Sequence, residues 1–274
     1  MVLLFFNNTM KKLMILATAA VLSACTANHQ KVLVLYYSQT GATKAVAERI
    51  ASELGADIEA FDVENPYDGD FQQTIQRCME EQQSNSLSPL KELKSDISDY
   101  DVIFLGYPVW FGVAARPVFS LVNEVKFEGK KIVPFCTFGS GGLETSTANL
   151  KELLPDAEFI EGYGVRNARV AKAPAEIEKF LVKAGFKDGE VEELPEFSEC
   201  RDVAEADQAV FNAACGSYEM PLGEPVAVSE RAVPGGKEYL FTTAALDMAG
   251  QPVQTTIYVL APDGGTPEFT KVVR

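Results

Sequence analysis

From Lys31 to Tyr37 the chain reads KVLVLYY, apolar at almost every position and rich in β-branched side chains. A run of that kind, without polar alternation, predicts a strand buried on both faces. From Ala42 the pattern changes. Ala45, Val46, Arg49, Ile50 and Leu54 recur at spacings of three and four, which places a mostly apolar stripe along one side of a helix. Asp101 to Gly106 and Lys131 to Phe138 repeat the buried-strand pattern. Ile177, Phe180 and Leu181 mark a helix over 175–184 that Gly185 ends. Strands alternating with helices predict an α/β unit built on a parallel sheet.

After Gly185 the pattern shifts. Residues 187–199 are acidic and contain Gly189 and Pro195, which reads as a linker. Val203, Ala206, Val210, Phe211 and Ala214 predict an amphipathic helix followed by Gly216. Strand-like runs then cover 224–233, 237–245, 252–260 and 269–273, punctuated by Gly235-Gly236, Ala249-Gly250 and Asp263-Gly264-Gly265 as hairpin turns. One helix laid on a four-stranded antiparallel meander buries both apolar faces.

Three strand ends carry the candidate chemistry. The first, Ser38-Gln39-Thr40-Gly41-Ala42-Thr43, turns a strand abruptly into a helix and leaves the leading N–H groups without partners. Those donors and the helix dipole favour a phosphate. Ser38, Thr40 and Thr43 add hydroxyls, and Gly41 allows positive φ or close backbone approach. No cation precedes Lys44 in this loop, which suits a monophosphate held by neutral donors, and the ATP-type loop is absent. An ordinary hydroxyl-capped helix start uses the same residue types. The second strand end, Pro108-Val109-Trp110-Phe111-Gly112, holds the chain's one Trp, suited either to a core anchor or to stacking on a flat ligand. The third, Thr137-Phe138-Gly139-Ser140-Gly141-Gly142, suits a tight turn or a close ligand approach.

The spacing S-x-T-G-x-T after a hydrophobic strand, followed in order by the Trp110 loop and the Gly/Ser loop, resembles the flavodoxin family over residues 31–185. The resemblance implies a doubly wound five-stranded parallel sheet of order 2-1-3-4-5 with its ligand beyond the carboxyl ends of the strands. It also implies FMN as cofactor. Residues 38–43 would then hold the phosphate, Trp110 and its neighbours Pro108 to Gly112 would cover one ring face, and Thr137 to Gly142 would meet the polar edge of the ring through backbone groups. Tyr107 and Phe111 are apolar enough to be core.

The N-terminus bears on location. Lys11 and Lys12 precede an apolar run, Leu13 to Leu22, too short to span a bilayer comfortably and read as a signal peptide. Leu22-Ser23-Ala24-Cys25 resembles the bacterial lipobox, which implies cleavage before Cys25, lipid on its thiol and residence in the cell envelope facing the periplasm; an ordinary secretory signal is the alternative. Residues 26–30 are then a tether. Without Lys11 and Lys12, 22 basic side chains stand against 39 acidic ones, a net charge of −17. Such acidity argues against nucleic acid or anionic lipid as partners and suits a basic redox partner. Cys78, Cys136, Cys200 and Cys215 show no metal spacing and are expected as free thiols. The single His, His29, lies in the tether, so no His-dependent triad or multi-His metal site is expected in the folded units.

Residues 198–274 resemble the cystatin-like fold. Arg231-Ala232-Val233-Pro234-Gly235 stands where inhibitory members carry Gln-x-Val-x-Gly, and Pro262-Asp263-Gly264-Gly265 stands in place of their late Pro-Trp pair. Those departures argue against protease inhibition and for a docking or spacer module, with residues 186–197 as the linker to it. Three function classes follow: an FMN electron carrier between redox partners, with no catalytic residue of its own; a flavin-dependent reductase of quinones or other small acceptors; and a partner-binding lipoprotein without redox work.

Overall fold

The computed structural model describes residues 30–220, 222–246 and 251–273. The expected signal peptide, Cys25, His29 and the turn expected at Ala249-Gly250 lie outside them. The first unit places β1 (Val32–Tyr36) between β2 (Asp57–Ala60) and β3 (Val102–Trp110), and β3 pairs in turn with β5 (Lys131–Phe138), all in parallel. The fifth position is filled by two short strands, β6 (Glu158–Phe159) and β7 (Tyr163–Arg166), both parallel to β5. Order 2-1-3-4-5 is therefore met, with the last strand interrupted at 160–162. A short β4 (Val113–Ala114) folds back on the end of β3.

Side-chain alternation along these strands feeds two cores. Val34, Phe104, Val133 and Phe135 face one way, onto Val46 and Ile50 of α1 (Ala42–Leu54) and Ile177 and Leu181 of α5 (Ala173–Lys183). Leu33, Leu35, Ile103 and Leu105 face the other, onto Val118 and Leu121 of α3 (Arg116–Glu124) and Leu150 of α4 (Leu143–Leu153). Helices on both faces explain why the strands read as unbroken apolar runs. The chain crosses to opposite faces after β1 and β3, so their carboxyl ends splay apart and open a crevice.

The second unit is one helix, α6 (Glu205–Cys215), on an antiparallel sheet of order β12-β11-β10-β9-β8. Strands β9 (Glu224–Val233), β10 (Gly236–Leu246), β11 (Pro252–Pro262) and β12 (Glu268–Val273) fall where the alternation predicts, within two residues at every end. Phe211, Phe241, Ile257 and Phe269 centre its core. The sheet has a fifth strand that the sequence reading lacks, β8 (Arg201–Asp202), paired to β9 at Val228 and Ala227. It lies immediately before the helix expected from Val203. The helix starts later because the Asp207 carboxylate accepts the Ala204 N–H and pairs with Arg201, which caps the helix there.

Candidate functional site at the strand ends

The first loop leaves β1 with Gly41 at φ 91° as the N-cap of α1, and no side chain caps it. Ser38 Oγ accepts from the Gly41 and Lys44 N–H groups, each at a long 3.2 Å. Among the described residues the N–H groups of Ala42 and Thr43 and the Thr40 hydroxyl make no hydrogen bond, and Thr40 is exposed. Lys44 is held away by Glu48 at 3.7 Å. The end of the helix thus offers neutral donors and no cation, as an anion site at a helix N-terminus does. Two members of the loop point elsewhere. Thr43 is buried, its hydroxyl 2.9 Å from that of Thr137 at the end of β5, so this pair ties the first and third loops together from behind. Gln39 Nε2 donates to Tyr67 O and to Thr74 Oγ1, both at 2.9 Å, and fastens α2 (Phe71–Gln83) to the loop.

The second loop is built around Trp110. Its indole is half-buried and meets the rings of Tyr37 and Tyr67 edge-on, at centroid distances of 5.9 Å and 5.1 Å. Tyr67 is fixed in turn by a hydrogen bond to Glu81 and by the Arg77 guanidinium 3.8 Å above its ring. Burial raises the Tyr67 hydroxyl well above its ordinary range, and the Glu81 hydrogen bond adds to this, so it stays a proton donor. Trp110 is therefore anchored on one edge and lines a cavity on another. Phe111 is 67% exposed and sits at φ 53°, an uncommon conformation for a bulky side chain, so the core reading of Phe111 is corrected. Tyr107 is core, with its hydroxyl on Ser146.

The third loop turns its carbonyls outward. Gly139 O accepts from Arg166 Nε at 2.8 Å and Ser140 O accepts from the Val272 N–H at 2.7 Å. The N–H groups of Gly139, Ser140 and Gly141 make no hydrogen bond among the described residues. Thr145 Oγ1 donates to Gly112 O at 2.8 Å and joins this loop to the second. Phe138 is core and Pro108 is half-buried beneath the loop, so neither lines the cavity.

Between the loops lies a cavity of about 570 Å³, within the usual range of about 300–1,000 Å³ for small-molecule sites. Gln39, Val109, Trp110, Phe111, Gly112 and the 139–142 loop line it from the expected set. Phe71 and Ile75 of α2, and Tyr218, Met220, Val272 and Val273 of the second unit, line it too. These were missed. The Asp70-x-x-Gln73 capping box and the apolar spacing of Phe71, Ile75, Cys78 and Met79 are the signals that mark α2. Among the described residues Glu144 is the one charged residue in the lining, and Lys271 pairs with it at 2.7 Å. The cysteines supply no nucleophile here: burial pushes Cys78 up to about 11 and raises Cys136 further, so both stay protonated.

An open parallel sheet with a neutral anion loop, an aromatic loop and a donor loop at one crevice defines the class of small flavin-binding α/β proteins. The sequence pattern of the family described as Flavodoxin matches residues 31–181, and this chain belongs to that family. Three crystal structures are similar to it. Two are of proteins assigned as flavoproteins, from Bacteroides eggerthii (29% identity, TM-score 0.46) and Bacteroides uniformis (25%, 0.49), each alignment covering 54% of this chain and 98% of the other. The third is a flavoprotein from Lactobacillus acidophilus in complex with FMN (28%, TM-score 0.45), covering 52% of this chain and 97% of the other. A search of curated proteins finds no match.

Proposed function

We propose that this chain binds FMN at the ends of β1, β3 and β5 and transfers electrons between redox partners from a lipid-anchored position outside the cytoplasm. The observation that carries the FMN assignment is the donor set. Among the described residues, third-loop N–H groups without partners line an apolar cavity walled by Trp110. Gln39 is the first-loop residue that reaches it, the unpartnered N–H groups of Ala42 and Thr43 lying on the same loop outside the lining. That set suits a flavin phosphate at one end and the polar ring edge at the other, and FMN is the cofactor of the family to which the chain belongs. When bound, FMN supplies the electron chemistry, and the chain holds it, shields it and sets its polarity. The formal charge of −15 suits a basic partner protein. The second unit, a helix on an antiparallel sheet, is read as cystatin-like and as a module for docking or spacing.

The apolar lining shared with the second unit supports a second reading, reduction of a small neutral acceptor such as a quinone. One experiment separates the two. The purified protein is loaded with FMN, freed of excess and reduced stepwise without oxygen. Passage through a stable one-electron stage supports carriage, direct two-electron bleaching with turnover of a quinone supports the reductase, and failure to retain flavin refutes both. Trp110→Ala should weaken FMN binding about tenfold or more, since stacking a flat heterocycle on an aromatic side chain contributes about 1–3 kcal/mol. Fluorescence titration checks this, and an unchanged affinity removes Trp110 from the site.

A further inference from the structure

The second unit has its own core, yet its last strand is fastened to the third loop of the flavin site. The Val272 N–H bonds Ser140 O, and a Cβ on Gly141 would stand 2.0 Å from Val272 O, so the approach of β12 requires glycine there. Arg166, at the end of β7, reaches both sides. Its Nε donates to Gly139 O and its Nη1 to Phe269 O, each at 2.8 Å, with the guanidinium 4.0 Å from the Phe269 ring centroid. Ion pairs flank these contacts: Lys271 with Glu144, and Glu268 with both Arg169 and Lys172. Burial pushes the Glu268 carboxyl up, but the two cationic donors outweigh it and hold it below its ordinary value. On the cavity side the same unit supplies Tyr218, Met220, Val272 and Val273.

We infer that the C-terminal unit is a built-in wall of the flavin site that fixes the donor loop and selects redox partners by size. β12 and Arg166 hold the 139–142 loop by its carbonyls, which keeps its N–H groups available to the ligand. The wall closes one side of the cavity to a protein surface, and the apolar lining, whose one charge among the described residues is already paired with Lys271, admits a small neutral molecule in preference to a polyanion. This inference rests on the proposed flavin site and deepens the second reading above, in which a small neutral acceptor and not a partner protein meets the flavin on this side.

The test uses the full chain loaded with FMN. The double variant Glu268→Lys/Lys271→Glu sets like charges across both groups of ion pairs and alters no residue that lines the cavity. It should raise the FMN Kd about 5- to 100-fold, the range typical of coupling between sites. After reduction by dithionite, reoxidation by cytochrome c should quicken relative to reoxidation by a small benzoquinone at matched ionic strength. Adding Glu144→Lys restores one pair and should recover part of the affinity. Should the double variant fail to fold, Arg166→Lys keeps the charge and removes the fork that grips both carbonyls, with the same direction expected. Unchanged Kd and an unchanged ratio of the two rates would overturn the inference while the flavin site stands. A parent chain that takes up no FMN overturns the flavin reading and the inference with it.

Discussion

FMN should bind this protein at least about two hundredfold more tightly than riboflavin, which differs from it by the phosphate. The expectation follows from the first loop. Ala42 and Thr43 present N–H groups with no partner, and Gly41 and Lys44 spend theirs on one hydroxyl at 3.2 Å, a weak arrangement that a phosphate oxygen displaces readily. Hydrogen bonds to a charged group contribute about 1.5–3 kcal/mol each, and the helix N-terminus adds about 0.3–1 kcal/mol. Two such bonds and the dipole give about 3–7 kcal/mol, or about two to five powers of ten in affinity. The absence of a cation in the loop sharpens the test, because raising the salt should weaken the preference little compared with a site built on lysines. Parallel titrations of flavin fluorescence with the two ligands measure it. Equal affinities would mean that the loop is a plain helix start and that the flavin, if bound, is held by its ring alone.

The parts of this architecture legible in the sequence are those governed by short-range pattern. The buried parallel strands declare themselves because both faces are covered, and the meander of the second unit because one face is. The first and third loops are legible for the same reason: a strand ending in small and hydroxylated residues before a helix leaves donors with few places to go. Three things escape such a reading. β8 is a two-residue strand with a charged arginine, and it exists because Asp207 caps the helix behind it. Thr43 and Gln39 look like phosphate ligands in the sequence, yet their side chains are committed to Thr137, Tyr67 and Thr74, contacts separated by 28 to 94 positions. The share of the second unit in the cavity is hidden altogether. Nothing local to Val272 or Met220 announces that they will meet Trp110 and Phe111 across a cavity. The register of β12 against Ser140 places Val272 there.

Gly106→Ala should be among the most destabilising single substitutions in the α/β unit, and Phe135→Leu should relieve part of the damage. Gly106 lies on the central strand β3, in register with Tyr36 on one side and Phe135 on the other. The buried ring of Phe135 folds flat across it: a Cβ would stand 2.1 Å, 2.4 Å and 2.8 Å from three of its ring carbons. Hydrogen bonding to β1 and β5 leaves the strand no room to retreat, so the ring must leave its place among Val34, Phe104 and Ile177. Overfilling a packed core in this way costs about 1–3 kcal/mol, and a shift of about 2–4 °C in Tm accompanies each kcal/mol in a domain of this size. Phe135→Leu alone opens a void and also destabilises. In the double variant the added methyl occupies part of that void, so the combined loss should fall short of the sum by about 0.5–3 kcal/mol. Trp110, the one Trp of the chain, lies in this unit, so its fluorescence follows the unfolding of the α/β unit. Strict additivity would mean that Phe135 is not what excludes a side chain at position 106. The sub-additive result would show that a glycine here serves packing alone, in contrast to Gly41, which supplies a positive φ, and Gly141, which admits the backbone of β12.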